Sequence, residues 1–216
     1  MKQIEIPYLE ELSKDADMGE VSTFLDQLEF VNIETQSWPE YPYKPEISFA
    51  MAHSGDCIFI KFNVLERFIQ AHYRINNEPV SQDSCVEFFI ALDNGGDYYN
   101  FEFNCIATCK AAFGTKNRQD REYLGDKIID QISRQVLIRK GPEYTQGLVA
   151  WELTVAIPLQ VFCFSNIRSF KGLKGRANFY KCGDNLPEPH FIVWNEVKAP
   201  KPDFHLPEFF GKINFL

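Results

Sequence analysis

The chain has 216 residues, 45% hydrophobic and 15% aromatic, and no Gly/Ser-rich linker divides it, so one domain over 1–216 is expected, with 1–45 as a lead-in segment. A formal net charge of -8, a pI near 5.1 and no Lys/Arg cluster argue against a nucleic-acid backbone or an anionic membrane as partner and leave neutral or cationic ligands open. No run approaches the roughly 18 apolar residues of a membrane span, and residues 1–7 lack an apolar signal core; a native start at Met1 implies the cytoplasm, a removed signal peptide a secreted or periplasmic protein.

Period-two alternation dominates, which predicts an all-β fold, a two-sheet antiparallel β-sandwich of jelly-roll or immunoglobulin-like type with short helical insertions. Those insertions are expected around 8–14, 121–131 and 158–162. Residues 38–45 carry three prolines that cannot donate to a ladder, so they read as an aromatic-bearing edge or lead-in loop. Met51 and His53 lie in a strand-like run, Met51 read as core and His53 as surface loop. In 57–64, Ile58, Ile60, Phe62 and Val64 share one face. Residues 68–75 read as a further strand. In 84–92 the inward set is Val86, Phe88, Ile90 and Leu92. Residues 148–157 turn Trp151, Leu153, Val155 and Ile157 inward, and 177–182 alternate likewise. Turn residues at 94–97 and 141–142 separate such runs.

The six cysteines, Cys57, Cys85, Cys105, Cys109, Cys163 and Cys182, read as free thiols, because a chain of this size needs no staples. None shows a CxxC spacing, so no structural zinc site is expected, and cofactors are expected to be none. Asp93 to Asp97 gathers oxygen ligands suited to calcium but equally makes a hairpin turn, the preferred reading.

Chemistry concentrates on strand 98–106. Its alternation places Tyr99, Phe101, Phe103 and Cys105 on one face and Asn100, Glu102 and Asn104 on the other, the latter about 7 Å apart along the strand. These groups offer donors and acceptors suited to sugar hydroxyls or a metal. Glu87 and Phe89 fall on the equivalent face of the preceding strand, and Asn178 and Tyr180 on that of 176–182, so the set reads as a polar groove. The C-terminal runs Arg176 to Asp184, Pro189 to Trp194 and Pro202 to Gly211 add aromatics, carboxylates and two histidines between prolines, more recognition chemistry than a core segment needs.

Five segments in order carry a resemblance: Gln82-Asp-Ser-Cys-Val-Glu-Phe-Phe-Ile90, Tyr98-Tyr-Asn-Phe-Glu-Phe-Asn104, the Trp151 to Pro158 run, Trp194, and Phe209-Phe-Gly-Lys-Ile213. Over roughly 46–216 the chain resembles the family 9 carbohydrate-binding modules. The resemblance implies a β-sandwich that holds terminal sugars of a glycan, often the reducing end, without cleaving them. It also implies structural calcium in some members and attachment to secreted glycan-degrading enzymes. Two tryptophans clamp the sugar in the family; at those positions this chain has Ser81 and Phe204, and a cationic donor is replaced near Glu102. Aromatic faces hold the apolar C–H faces of pyranoses, so these departures bear on affinity and preference.

On this basis the expected partner is an oligosaccharide or polysaccharide of plant-type or related glycans; no protein partner is inferable. Phe204 is the expected stacking ring, with Trp194 nearby. Glu87, Glu102, Asn104 and Arg74 are the expected hydroxyl partners, and Asn100, Asn178, Tyr180 and His205 are secondary. Tyr41, Tyr43, Tyr73 and Trp194 are candidates for the lost ring, Arg74 and Arg176 for the lost cation. Two rival readings of the sequence exist. Catalysis would draw on Cys182, Asp184, His190, Asp203 and His205, or on Glu87 and Glu102 as a glycosidase pair, but no GxSxG or HExxH motif supports it. A haem or cofactor sandwich would need Met51 and His53 as axial ligands.

Overall fold

A computed structural model describes residues 1–92, 96–140 and 147–216. Its strands are β1 (Gln3–Ile6), β2 (Val31–Asn32), β3 (Thr35–Gln36), β4 (Glu46–His53), β5 (Cys57–Glu66), β6 (Cys85–Ala91), β7 (Tyr98–Asn104), β8 (Cys109–Gly114), β9 (Glu122–Tyr123), β10 (Ser133–Arg139), β11 (Val149–Pro158), β12 (Lys174–Cys182), β13 (Phe191–Val193) and β14 (Gly211–Phe215). The larger sheet runs β1-β14-β12-β6-β7-β8-β9, with β13 following β14 along the edge of β12 and β3 beyond it; the smaller runs β10-β11-β5-β4-β2. Every pairing is antiparallel except that of β1 with β14, which is parallel.

The two sheets enclose the main core. Ile58, Ile60, Phe62 and Val64 of β5, Val86, Phe88 and Ile90 of β6 and Trp151, Leu153, Val155 and Ile157 of β11 all point into it, as the alternation requires. Phe49 of β4 stacks on Phe179 of β12 across the gap, ring centroids 3.7 Å apart. The fold is thus a β-sandwich with short helical pieces.

Each sheet also has a covered outer face. On the smaller sheet sits α1 (Met18–Leu25), capped by the Asp17 carboxylate, which accepts from the Gly19 and Glu20 N–H groups. Its Val21 and Leu25, one helical turn apart, pack on Phe59 and Ala52. On the larger sheet, Phe89, Tyr98 and Tyr180 are roofed by Trp38, Val197, Phe204 and Phe210 from segments outside the sheet ladders. That second aromatic layer positions the site.

Several sequence expectations are corrected. Residues 68–75 are not a strand, because the buried Asp83 carboxylate accepts from the His72 and Tyr73 N–H groups at 2.8 and 3.0 Å, occupying donors a ladder would use. Residues 8–14 form a bridge and turns, and the helix lies further on at α1, where a capping Asp precedes it. In 121–131 only α2 (Asp126–Ile129) is helical, and Glu122–Tyr123 pairs with β8. At 158–162 a single 3₁₀ turn, Leu159–Val161, matches expectation. His53 is not on a surface loop but buried in β4: its Nδ1 accepts from the Gly55 N–H at 3.1 Å and its Nε2 lies 3.0 Å from the Leu216 carbonyl. Both ring nitrogens are engaged, leaving neither to ligate iron. The turn at 141–142 lies outside the described residues, as does 93–95 of the loop weighed for calcium.

Candidate functional site

The register of the larger sheet sets the polar face out in rows. Tyr180 of β12, Glu87 of β6, Glu102 of β7 and Lys110 of β8 oppose one another across four strands. The next row holds Cys182, Cys85 and Asn104. The roof stops short of these rows and leaves a cavity of about 370 Å³ over them, within the range of small-molecule sites. Glu87, Glu102, Lys110, Cys182 and Asp184 form its floor and one side; Tyr41, Phe191, Phe204, His205, Asp203 and Arg118 form the other.

Charge in this groove is ordered by short contacts. The Arg121 guanidinium donates to Asn100 Oδ1, Asn100 Nδ2 donates to Glu102 Oε1 at 2.9 Å, and Lys110 Nζ donates to the same carboxylate at 3.3 Å. Glu102 is thereby held between an amide and a cation. Burial tends to lower the Lys110 pKa, but the Glu102 and Glu87 carboxylates outweigh it and raise it. Burial, followed by the Glu102 charge, holds the Glu87 carboxyl well above the usual carboxylate range. Burial likewise pushes Asp184 up to about 6 against the pull of its Ser81 hydrogen bond. His205 is pushed down to about 2, by burial and then by Arg118 and Arg121, so its imidazole is neutral; its Nδ1 lies 2.7 Å from the Tyr98 hydroxyl.

The aromatic wall is braced from behind. Phe204, 8% exposed, stacks on Tyr180 with centroids 4.2 Å apart and planes 13° from parallel, and the Tyr180 hydroxyl donates to the Phe204 carbonyl at 3.1 Å. Trp38 sits 5.9 Å from Phe204, and its indole N–H donates to the Ala199 carbonyl at 2.9 Å. Tyr41 meets Phe191 edge to face at 4.7 Å. Arg118 and Asp203 form an ion pair at 2.9 Å at the rim.

Of the expected residues, Glu87, Glu102, Phe204 and His205 line the groove, and Ser81 lines it too, facing the same space as Phe204. Tyr180 and Asn100 act from behind, as described. Others lie elsewhere. Trp194 is buried between the sheets against Phe49 and Phe179. Asn104 spends its amide on structure, donating to the Tyr73 carbonyl and Asp83 and accepting from the Thr108 N–H of its own hairpin. Asn178 clamps Asn195, donating to its carbonyl and accepting from its N–H, both at 2.9 Å. Arg74 is exposed outside the groove, and Arg176 reaches the Pro207 carbonyl. Tyr73 and Tyr43 do not line the cavity, whereas Tyr41 does. From the catalytic rival, Cys182, Asp184, Asp203 and His205 meet in the groove, but His190 is buried against Lys181.

Sequence reasoning missed Lys110, Arg118 and Phe191. Lys110 places a cation beside Glu102, whereas the sequence offers Arg74 or Arg176. Its strand is short, and the signal that would have found it is the tight turn after Asn104, which returns the chain so that Lys110 opposes Glu102.

No curated protein matches the chain. Among solved structures it is similar to a candidate carbohydrate-binding protein from Bacteroides uniformis ATCC 8492, with 31% identity, a TM-score of 0.91, and coverage of 100% of this chain and 99% of that one. Two structures of a family 9 carbohydrate-binding module from Caldicellulosiruptor kristjanssonii share the fold. The one in complex with glucose has 11% identity and a TM-score of 0.59, covering 100% of this chain and 96% of that one; the one in complex with cellotriose has 13% and 0.58, covering 99% and 93%. The family described as "Carbohydrate-binding family 9" matches residues 20–215. That match takes in every strand but β1 and every residue lining the groove, so the chain belongs to carbohydrate-binding family 9.

Proposed function

We propose that the groove over β6, β7, β8 and β12 binds the terminal sugar of a neutral oligosaccharide, reducing end included, and does so without cleaving it. The observation that carries this reading is the pairing of a polar floor, Glu87, Glu102, Lys110 and Asp184, with an aromatic side formed by Tyr41, Phe191 and Phe204. A pyranose presents hydroxyls around its rim and C–H groups on its faces; the floor offers acceptors and a donor for the former, the rings a surface for the latter. Family membership and the sugar complexes of the Caldicellulosiruptor kristjanssonii module support the same ligand class. With Ser81 in place of one clamping tryptophan, a ring is held from one side by Phe204, Phe191 and Tyr41, which predicts weaker binding than a two-sided clamp gives.

Calorimetric titration with short gluco- and xylo-oligosaccharides, each native and borohydride-reduced, tests the reading. Heat with native sugars alone identifies reducing-end recognition, and equal heat with both moves the recognised part of the glycan. No heat with any of them removes the reading. Glu102→Gln is expected to weaken binding about tenfold or more by taking the charge from a hydrogen bond to a hydroxyl. Chromatography of the same oligosaccharides after long incubation is expected to return them uncut; shortened products would instead make Glu87 and Glu102 a hydrolytic pair.

A further inference from the structure

Under the groove, β6 and β12 bring together two thiols that the sequence keeps far apart. Cys85 and Cys182 are direct cross-strand partners, both buried, and Glu87 follows Cys85 by two positions on the same face. One ligand atom from each of Cys85, Glu87 and Cys182 lies within 4.8 Å of the others, and Cys182 Sγ is 3.2 Å from Glu87 Oε1. Thiols are poor partners for sugar hydroxyls, so recognition of a glycan, which draws on Glu87, leaves the two cysteines without a role. Packing alone does not explain it either: a cysteine packs as a small hydrophobe, but here two thiols lie against a buried carboxyl, and the nearby cation, Lys110, is bonded to Glu102 opposite and not to this cluster.

We propose that Cys85, Cys182 and Glu87 form a site for a thiophilic divalent cation of the zinc class, with its open coordination position turned towards the groove. Two sulfurs and one oxygen match the donor preference of such an ion, whereas calcium takes six to eight oxygens. Tetrahedral bonds of about 2.3 Å to sulfur and about 2.1 Å to oxygen place donor atoms roughly 3.5–3.8 Å apart. The 3.2 Å contact and the 4.8 Å limit bracket that spacing. On binding, the ion replaces the two Sγ protons and any proton on Glu87, which leave to solvent, and the resulting centre carries one net negative charge, with Lys110 in the same groove. Glu87 and Cys182 line the cavity, so the fourth position is open to water or to a ligand hydroxyl. The inference stands whether or not a sugar occupies the groove.

The test uses the reduced, metal-stripped full chain. Zn²⁺ is titrated in competition with a chromophoric chelator, and Cd²⁺ serves as a probe through its thiolate-to-metal ultraviolet band. One equivalent of tightly held ion with that band is expected. Cys182→Ser should remove the band and weaken binding at least ~100-fold, and Glu87→Gln should weaken it ~10-fold or more, while Cys163→Ser, which removes an exposed thiol, should change neither. Because a core substitution can fail to fold, alkylation of the unaltered protein mapped by mass spectrometry supplies a second readout: Zn²⁺ should slow labelling of Cys85 and Cys182 and leave Cys163 unchanged. Absence of a bound equivalent, a band that disappears with Cys163→Ser, or equal labelling with and without Zn²⁺ overturns the proposal. So does a Cys85–Cys182 disulfide that survives reductant.

Discussion

Phe204 serves two structures at once. Its ring is a wall of the groove and also one half of a near-parallel stack on Tyr180, so its removal acts on both. Phe204→Ala is expected to abolish most sugar binding and to cost about 3–5 kcal/mol of stability as a large-to-small change in a packed layer. Tyr41→Ala, at a half-buried rim position, should weaken binding with less than about 1 kcal/mol lost; calorimetry beside urea unfolding separates the two effects. A Phe204→Ala protein that binds unchanged would remove the ring from the site. Gly211 shows another residue-level constraint. A Cβ there would collide with the Trp194 ring at Cζ3 and lie 2.9 Å from the Lys2 carbonyl oxygen. Two motifs by which the sequence resembles its family, Trp194 and the closing Phe-Phe-Gly, are therefore in contact, and their shared role is packing. Gly211→Ala should cost about 1–3 kcal/mol by overpacking, read as a lowered urea midpoint. The sequence supplied the aromatic identity of Phe204 and Trp194 but not their depth, because alternation assigns a face and cannot tell a groove wall from a core ring.

At the scale of elements, β12 holds a buried ionic cluster where β5 and the segment before β13 converge. The Lys181 ammonium, fully buried, donates to the Cys182 carbonyl at 2.9 Å, lies 3.0 Å from Glu66 Oε2 and 2.9 Å from His190 Nε2. Glu66 accepts in turn from the Trp151 indole at 2.6 Å. His190 Nδ1 faces the Glu188 carbonyl at 3.0 Å, which fixes the proton there and leaves Nε2 to accept from the lysine. Burial and then Lys181 push the His190 pKa down to about 3. The unfolded chain takes up that proton near pH 6.5, so the stability conferred by the neutral imidazole is full above this and falls as pH drops towards 3, by up to about 1.4 kcal/mol per unit. Melting temperatures from pH 7 to pH 4 should fall less steeply for His190→Gln than for the unaltered protein, and parallel slopes would refute the assignment. Lys181→Met, which strands the Glu66 carboxylate, should cost about 3–5 kcal/mol. Long strands such as β5, β6, β7 and β11 were legible, since each carries a period-two run of large apolar residues turned into the core between the sheets. The short β8 was not, because its order comes from the Asn104 hairpin, and residues 68–75 were misread because a side-chain carboxylate took the place of a strand partner.

The whole molecule is closed by its ends. β1 pairs with β14 in parallel, Ile4 opposite Ile213, and the Leu216 N–H donates to the Ile6 carbonyl, so the larger sheet is complete only when the two termini meet. Removing residues 1–6 should uncover the β14 edge and take the buried Ile6 out of the core, lowering stability by about 2 kcal/mol or more; an unchanged melting temperature would show the strand to be dispensable. The sandwich itself was readable from composition and alternation, and two residues of the groove's floor, Glu87 and Glu102, from their outward positions. Its roof was not, since residues 37–45 and 194–210 are held by long-range contacts that no local pattern announces: the Trp38 indole on the Ala199 carbonyl, the Tyr180 hydroxyl on the Phe204 carbonyl.

Those same two hydrogen bonds fix the roof before any ligand arrives. The conformational entropy lost in ordering it therefore belongs to folding, so filling the proposed sugar site would need little backbone rearrangement. Trp38 touches Phe204 and yet does not line the cavity, so on that proposal its loss would lower folding stability and glycan affinity together.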